Sequence, residues 1–196
     1  MDYSPGLRGV IAGETQISTV GMEGTSLRYR GYDAVGLTNT NTYEDVASLI
    51  IDDDLDGELF KKSFSNHYKK LSEDSGLIEL INRLKTEQHP MDVTRTAISY
   101  IGEANESNKL DAASKVTAIA CLAIASYNKE LSDVLDQKYT VASSLLPNSS
   151  TQQQLEALDD MLILYAEHGF NASTFAARVT ASTRSDLISA IVSGVG

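Results

Sequence analysis

The sequence predicts an all-α fold with one small β-hairpin near its N-terminus. Glycines and β-forming residues dominate residues 10–33, where a turn bracketed by Gly21 and Gly24 separates two short apolar segments. From Tyr43 onward, apolar residues recur at helical spacing, and residues 110–127 are apolar on nearly all sides. These patterns predict a hairpin over about 10–33 and six to eight helices over 42–196, without a second domain.

The N-terminal half carries clear start signals for its elements. Ile17 and Val20 precede the glycine-bracketed turn, and Leu27 and Tyr29 follow it, as expected for paired strands. Thr42 followed by Asp45 indicates the start of a helix over 43–52. A second helix is predicted over 76–85, and a third begins at Pro90, which suits a first helical position. The residues expected on the inner faces are Tyr43, Val46, Leu49, Ile50, Leu77, Leu80, Ile81, Leu84, Val93, Ala97, Ile98, Ile101 and Ala104.

The C-terminal half is predicted to hold the central core helix and three further apolar stripes. The helix over 110–127 contains the single cysteine, Cys121, which we expect to be buried as a small apolar side chain. The helix over 151–167 is predicted to bury Leu155, Leu158, Leu162 and Tyr165. The last segment carries a wide apolar stripe formed by Phe175, Val179, Leu187, Ile188, Ile191, Val192 and Val195.

The overall charge excludes several classes of partner. The chain has 27 acidic and 16 basic residues and a net charge of −11, which opposes binding to nucleic acid and to anionic membranes. No basic segment followed by a long apolar run stands at the N-terminus, and no apolar run approaches the roughly 20 residues of a membrane span. We therefore expect a cytoplasmic protein.

Most motifs of common enzyme sites are absent from the sequence. It contains no glycine-rich phosphate loop, no GxSxG elbow and no cluster with metal-ligand spacing, so no metal is expected. The acidic run over 52–56 lacks the alternation of a calcium loop and is interpreted as a solvated loop. His67 is expected on a solvated helix face, and His89 at the entry of the helix that begins at Pro90.

The remaining histidine, His168, has two interpretations from the residues alone. It lies where one apolar helix ends, and Asn171 or Ser173 can cap the next helix. His168 can therefore be a residue that only caps and packs. Alternatively, it can be a donor beside a helix N-terminus that favours anions such as a dicarboxylate.

Four segments resemble one family in its own order. They are "GLRGVIAGETQISTVGMEGTSLRYRGYD", "TYEDVASLI", "HPMDVTRTAIS" and "LYAEHGFNASTFAARVTASTRSDLISAIVSGVG". They resemble the citrate synthase family, and "HPMDV" is typical of its 2-methylcitrate synthase branch. The resemblance implies a mainly helical homodimer that condenses an acyl-CoA with oxaloacetate between a large and a small domain. Acyl-CoA would be a substrate, and no cofactor is implied.

The resemblance transfers a role to only two residues. His168 matches the family's oxaloacetate-binding histidine, and Asn171 matches the asparagine beside it. In the family, the two catalytic histidines, the catalytic aspartate and the oxaloacetate-binding arginines lie after the segment that matches the end of this sequence. We therefore expect residues 1–196 to be part of a large domain, with no catalytic residue and no small domain.

Two functions follow from these expectations. The first is the N-terminal part of a citrate or 2-methylcitrate synthase, inactive alone, with propionyl-CoA favoured over acetyl-CoA by "HPMDV" and "YAEH". The second is a non-enzymatic member of the family, either a helical scaffold or a subunit whose partner supplies the missing groups.

Overall fold

The structure is a computed structural model that describes residues 13–20, 26–102, 108–131 and 139–195. Within these ranges it contains ten helices and one small antiparallel sheet. The described residues include no parallel strand pair. The predicted fold class, mainly helical with a small N-terminal β element, is therefore confirmed.

The sheet has three strands in the order β1 (Ser18–Thr19), β2 (Arg28–Tyr29) and β3 (Tyr32–Asp33). The predicted hairpin corresponds to the β1–β2 pair, although residues 10–12 and 21–25 lie outside the described residues. Strand β3 was not predicted. It pairs with β2 across a two-residue turn in which Arg30 and Gly31 have φ angles of 49° and 90°. Positive φ at both positions is typical of tight hairpin turns and is easiest for glycine.

The helices follow the sheet in chain order. They are α1 (Ala34–Thr38), α2 (Tyr43–Asp52), α3 (Glu58–Ser72), α4 (Ser75–Leu84), α5 (Pro90–Tyr100), α6 (Lys109–Ala125), α7 (Val141–Leu145), α8 (Gln152–Leu164), α9 (Ala172–Ser182) and α10 (Leu187–Gly194). Two predicted starts are confirmed in detail. Thr42 and Asp45 form a reciprocal capping box on α2, and Pro90 opens α5. The His89 ring accepts a hydrogen bond from the Met91 backbone amide.

Helix α6 is the centre of the main core. Its residues Ala118, Ile119, Leu122 and Ala123 are fully buried, and Cys121 is nearly so, which confirms the predicted burial. Helices α3, α5, α7 and α2 pack around it. Burial raises the pKa of the Cys121 thiol to about 12, so this cysteine acts as an apolar packing group.

Helix α3 supplies a core face that the sequence analysis did not identify. Phe60, Phe64, Tyr68 and Leu71 are buried at helical spacing against α6 and its neighbours. The prediction of a solvated face for His67 is wrong. Its Nε2 lies 2.9 Å from Asp111 Oδ1 on α6, and the side chain is only 22% exposed, because α3 and α6 pack closely there.

Helix α8 turns the predicted apolar stripe inward only in part. Ile163 is the buried residue of this helix, whereas Tyr165, just beyond its end, is 81% exposed. Leu155, Leu158 and Leu162 are only partly buried. The prediction is wrong for Tyr165, and it missed Ile163, which is buried because α8 also packs against the sheet and α1 in a second core cluster with Tyr29, Val46 and Leu49.

Helices α9 and α10 pack on each other and divide the predicted C-terminal stripe. Ile188 of α10 is buried in the main core, while Phe175 and Val179 of α9 are about half exposed, at 47% and 50%. The stripe therefore serves the core through α10 and leaves an apolar surface on α9. Among the described residues, no helix is both long enough and apolar enough to cross a membrane.

We expect Tyr29→Phe to lower the free energy of unfolding by about 1–2 kcal/mol. The Tyr29 hydroxyl donates to the carbonyl oxygens of Ile163 at 2.8 Å and Leu164 at 3.2 Å, so its removal breaks both bonds, although the Ile163 oxygen keeps the Ala166 backbone amide at 3.2 Å. Urea unfolding followed by circular dichroism measures the change. The matched control is Tyr32→Phe on the half-exposed neighbouring strand, which should change stability little. Equal effects of the two substitutions would contradict this role of Tyr29.

Candidate functional site

The candidate site lies in the connection between α8 and α9. Asn171 is the N-cap residue of α9, and its Oδ1 accepts a hydrogen bond from the Thr174 backbone amide at 2.7 Å. Gly169 has a φ angle of 89°, which reverses the chain just before the cap. Of the two predicted candidates for the cap, Asn171 rather than Ser173 occupies the position.

The structure brings His168 and Asn171 together. Asn171 Nδ2 lies 3.0 Å from His168 Nε2. Because Asn171 Oδ1 is used by the helix cap, its amide nitrogen must face the histidine and donate to it. His168 Nε2 then accepts, which assigns the proton of the neutral ring to Nδ1. His168 is exposed, so the Nδ1–H group is available to donate to a ligand.

The surroundings of the pair include one anion and one cation. Glu167 Oε1 accepts from the Gly169 backbone amide at 2.8 Å, and its Oε2 has no hydrogen-bond partner among the described residues. The Arg178 guanidinium lies 4.7 Å from the centre of the Phe170 ring, a cation–π contact that fixes this cation beside the turn. The sequence analysis missed Glu167 and the Phe170–Arg178 pair, because no local pattern indicates such contacts.

The arrangement can bind an anion and does not by itself provide acid–base chemistry. The N-terminus of α9 carries a partial positive charge, and His168 offers a directed N–H donor beside it. Nowhere in the described ranges do three histidine, cysteine, aspartate or glutamate side chains form a group that could hold a metal ion. The acidic residues 52–54 include the end of α2, where Asp53 adopts a left-handed backbone with φ of 62°.

Comparison with known proteins places this site in a family context. The family model described as "Citrate synthase, C-terminal domain" matches residues 6–196, which is nearly the whole chain. The chain belongs to the citrate synthase family. The matched region includes all ten helices and the His168–Asn171 pair.

Curated members of the citrate synthase family align over almost the full chain. A 2-methylcitrate synthase from Shewanella oneidensis is 38% identical and covers 97% of the chain. The "2-methylcitrate synthase 2" of Corynebacterium glutamicum is 36% identical over all of it. The chain spans 55% and 56% of these two relatives, so it corresponds to about half of their length.

Solved citrate synthases share the fold. The enzyme from Thermotoga maritima has a TM-score of 0.77 at 27% identity, and the match covers 97% of this chain and 54% of that one. A ternary complex of the Thermoplasma acidophilum citrate synthase with carboxymethyl coenzyme A and oxaloacetate has a TM-score of 0.79 at 21% identity. That match covers 98% of this chain and 55% of the archaeal one.

We expect Asn171→Ala to lower the free energy of unfolding by about 1 kcal/mol, because it removes the N-cap of α9. Asn171→Ser retains a capping oxygen and should cost only a few tenths of a kcal/mol. The serine variant loses the amide that orients His168, so it separates the cap from the histidine contact. Chemical unfolding of the three proteins measures the difference. If the alanine and serine variants were equally destabilised, the cap would not account for the effect.

Proposed function

We propose that this chain forms the N-terminal part of the large domain of a synthase that condenses an acyl-CoA with oxaloacetate. Within it, His168 and Asn171 hold oxaloacetate. The observation that carries the proposal is the 3.0 Å contact between these two side chains at the N-terminus of α9, in a segment that the citrate synthase family model matches. Family membership makes this condensation the expected chemistry, and the pair supplies a donor for one end of a dicarboxylate.

The role of each residue follows from its hydrogen bonds. Asn171 caps α9 through Oδ1 and holds the imidazole through Nδ2, so the ring is oriented by a group that is itself fixed. The His168 Nδ1–H then donates to an oxygen of oxaloacetate. The positive end of α9 favours the same negative charge, which matters in a chain whose net charge is −11. Arg178, fixed on Phe170, adds a nearby cation.

The condensation also requires groups that this pair cannot provide. A thioester α-carbon is a very weak acid, so its ionisation needs a positioned base and a hydrogen bond to the developing enolate. The ketone of oxaloacetate needs a further donor to polarise it. This chain matches about half of the length of its relatives. We propose that the other half of a synthase provides these groups. That half would also contribute the small domain.

Propionyl-CoA is the acyl donor we favour. The segment "HPMDV", which forms the start of α5, is typical of the 2-methylcitrate branch, and the two relatives described above carry the name 2-methylcitrate synthase. A relative from Bacillus subtilis, 31% identical, is named citrate/2-methylcitrate synthase. Acetyl-CoA should therefore be tested as a second acyl donor.

We expect the 196-residue polypeptide alone to release no CoA from propionyl-CoA or acetyl-CoA in the presence of oxaloacetate. The loss of a single general acid or base typically reduces the rate by about 10² to 10⁴, and here several such groups would be missing together. A thiol-release assay on the purified polypeptide decides the question. Clear turnover would show that residues 1–196 hold a complete site.

A complementation experiment tests the role of His168 directly. The polypeptide is mixed with a separately produced segment of the Corynebacterium glutamicum relative that begins where its match to this chain ends. If the mixture is active, His168→Ala should raise the KM for oxaloacetate by about tenfold or more, because a hydrogen bond to a charged ligand is lost. The matched control is His89→Asn, which keeps a capping side chain on α5 and should leave the KM unchanged. An unchanged KM in His168→Ala would refute the binding role.

We also expect a homodimer, as the family resemblance implies, with the exposed apolar surface of α9 in the interface. Val179 is 50% exposed on this helix beside Phe175, and apolar patches of this kind are usually covered. Val179→Asp should shift the polypeptide toward monomer in multi-angle light scattering. The control Val35→Asp changes a valine on α1 that is 60% exposed and should leave the assembly intact. A wild-type monomer at micromolar concentration would refute the expectation.

A further inference from the structure

An acidic cleft of about 560 Å³ lies between α2, α7 and α8, away from the α8–α9 turn. Its wall contains four carboxyl side chains, Glu44, Glu156, Asp159 and Asp160, together with hydroxyl groups that include Thr140 and Ser143. No lysine or arginine contributes to the described lining. A concave surface of this composition attracts positive charge.

Glu44 is the least usual member of this group. It lies in the first turn of α2 with only 1% of its surface exposed, and its Oε1 accepts from the Val141 backbone amide at 2.7 Å. Its Oε2 is buried and has no hydrogen-bond partner among the described residues. A buried carboxylate oxygen without a donor is unfavourable, and an unsatisfied group of this kind in the wall of a cleft points to a ligand that donates to it.

Asp159 stands next to Glu44 across the helix interface. Its Oδ2 accepts from the Tyr43 backbone amide at 3.1 Å, and burial together with the charge of Glu44 raises its pKa to about 6. Asp160 and Glu156 are exposed and form the outer edge of the cleft. The negative charge is therefore arranged at two levels, with Glu44 and Asp159 at the floor and the other two at the rim.

The residues around Glu44 contribute little positive charge to balance its carboxylate. Asp45 on α2, Cys121 on α6 and Asp159 on α8 face it without positive charge, and Lys61 on α3 is the cation whose charge acts on it. Burial is the largest effect on Glu44 and raises its pKa. A bound cation would oppose that effect by favouring the ionised form.

We propose that this cleft binds a linear aliphatic diamine. One ammonium group donates to Glu44 Oε2 at the floor, the methylene chain lies along Leu155, and the second ammonium meets Glu156 and Asp160 at the rim. A chelated metal ion fits less well, because no three metal-ligating side chains of the described residues converge on one point. The cleft is also much larger than a single ion, whereas a short diamine fills it more fully.

The test is calorimetric titration of the 196-residue polypeptide with 1,4-diaminobutane at about pH 8, where carboxylates are ionised, and at about 0.15 M salt, which screens the general negative charge. We expect one site per chain. We expect n-butylamine to bind at least about fivefold more weakly and magnesium chloride to show no saturable binding, because only the diamine satisfies both levels of charge. Absence of diamine binding up to about 10 mM, or equal binding of the monoamine or of magnesium, would overturn the proposal.

Two substitutions and one control assign the binding to the cleft. Glu44→Gln should weaken diamine binding by about tenfold, because the charged acceptor at the floor is lost. The control Glu79→Gln removes the same charge from an exposed position on α4 and should leave the affinity within about twofold. If circular dichroism shows that Glu44→Gln does not fold, Asp160→Asn at the exposed rim decides the matter, with an expected weakening of about threefold. Wild-type affinity in the folded Glu44→Gln variant, or in Asp160→Asn, would overturn the site.

The pH dependence provides an independent readout. Because the pKa of Asp159 is raised to about 6, lowering the pH through this value protonates a floor carboxylate and should weaken diamine binding. Affinity should therefore fall between about pH 7 and pH 5. Near pH 6, diamine binding should also release protons from the protein to the buffer, because the bound ammonium favours the ionised form of Asp159. Affinity that stays constant over this range would count against the cleft. None of these results depends on whether the chain takes part in acyl-CoA condensation.

Discussion

The burial of α6 on nearly every side is the constraint on which the rest of the structure depends. A helix without a polar face can be stable only when other helices surround it. Small residues such as Ala118, Cys121 and Ala125 let those neighbours approach closely. Helices α3 and α5 must then turn their own apolar faces inward, and their charged side chains, among them the four lysines of α3, lie outside the buried core. The surrounding helices are thus amphipathic because each must cover part of one apolar helix and face solvent on its other side.

Features determined within a few residues could be predicted from the sequence. The Thr42–Asp45 capping box, the start of α5 at Pro90 and the Asn171 cap each depend on contacts no more than four residues apart. The buried faces of helices that pack against residues distant in sequence were harder to predict. Helix α3 was overlooked because lysine, serine and asparagine dilute its apolar residues. On α8 the burial of Ile163 was missed because this residue packs against Tyr29, which lies 134 residues earlier.

The candidate site, too, could be predicted only where it depends on residues close in sequence. His168 and Asn171 could be identified from their motif, but the residues alone left a structural role open. The geometry adds the orientation, since the cap fixes the Asn171 amide and thereby the nitrogen that His168 presents. The acidic cleft could not be predicted. A glutamate in a first helical turn is normally an exposed group that interacts favourably with the helix dipole, whereas Glu44 is buried beside partners distant in sequence, including Val141, 97 residues later.

The His168–Asn171 pair is local in sequence, yet its position depends on the opposite end of the chain. The Tyr29 hydroxyl binds the last carbonyl groups of α8, at Ile163 and Leu164, only four residues before His168. The Ile163 carbonyl also accepts from the Ala166 backbone amide at 3.2 Å, and the tyrosine adds a second donor that fixes the direction in which the chain leaves α8. The two-residue turn at Arg30 and Gly31 in turn holds Tyr29 in the sheet between β1 and β3. The N-terminal sheet is therefore part of the support of the site, because it sets the point from which the His168 turn begins.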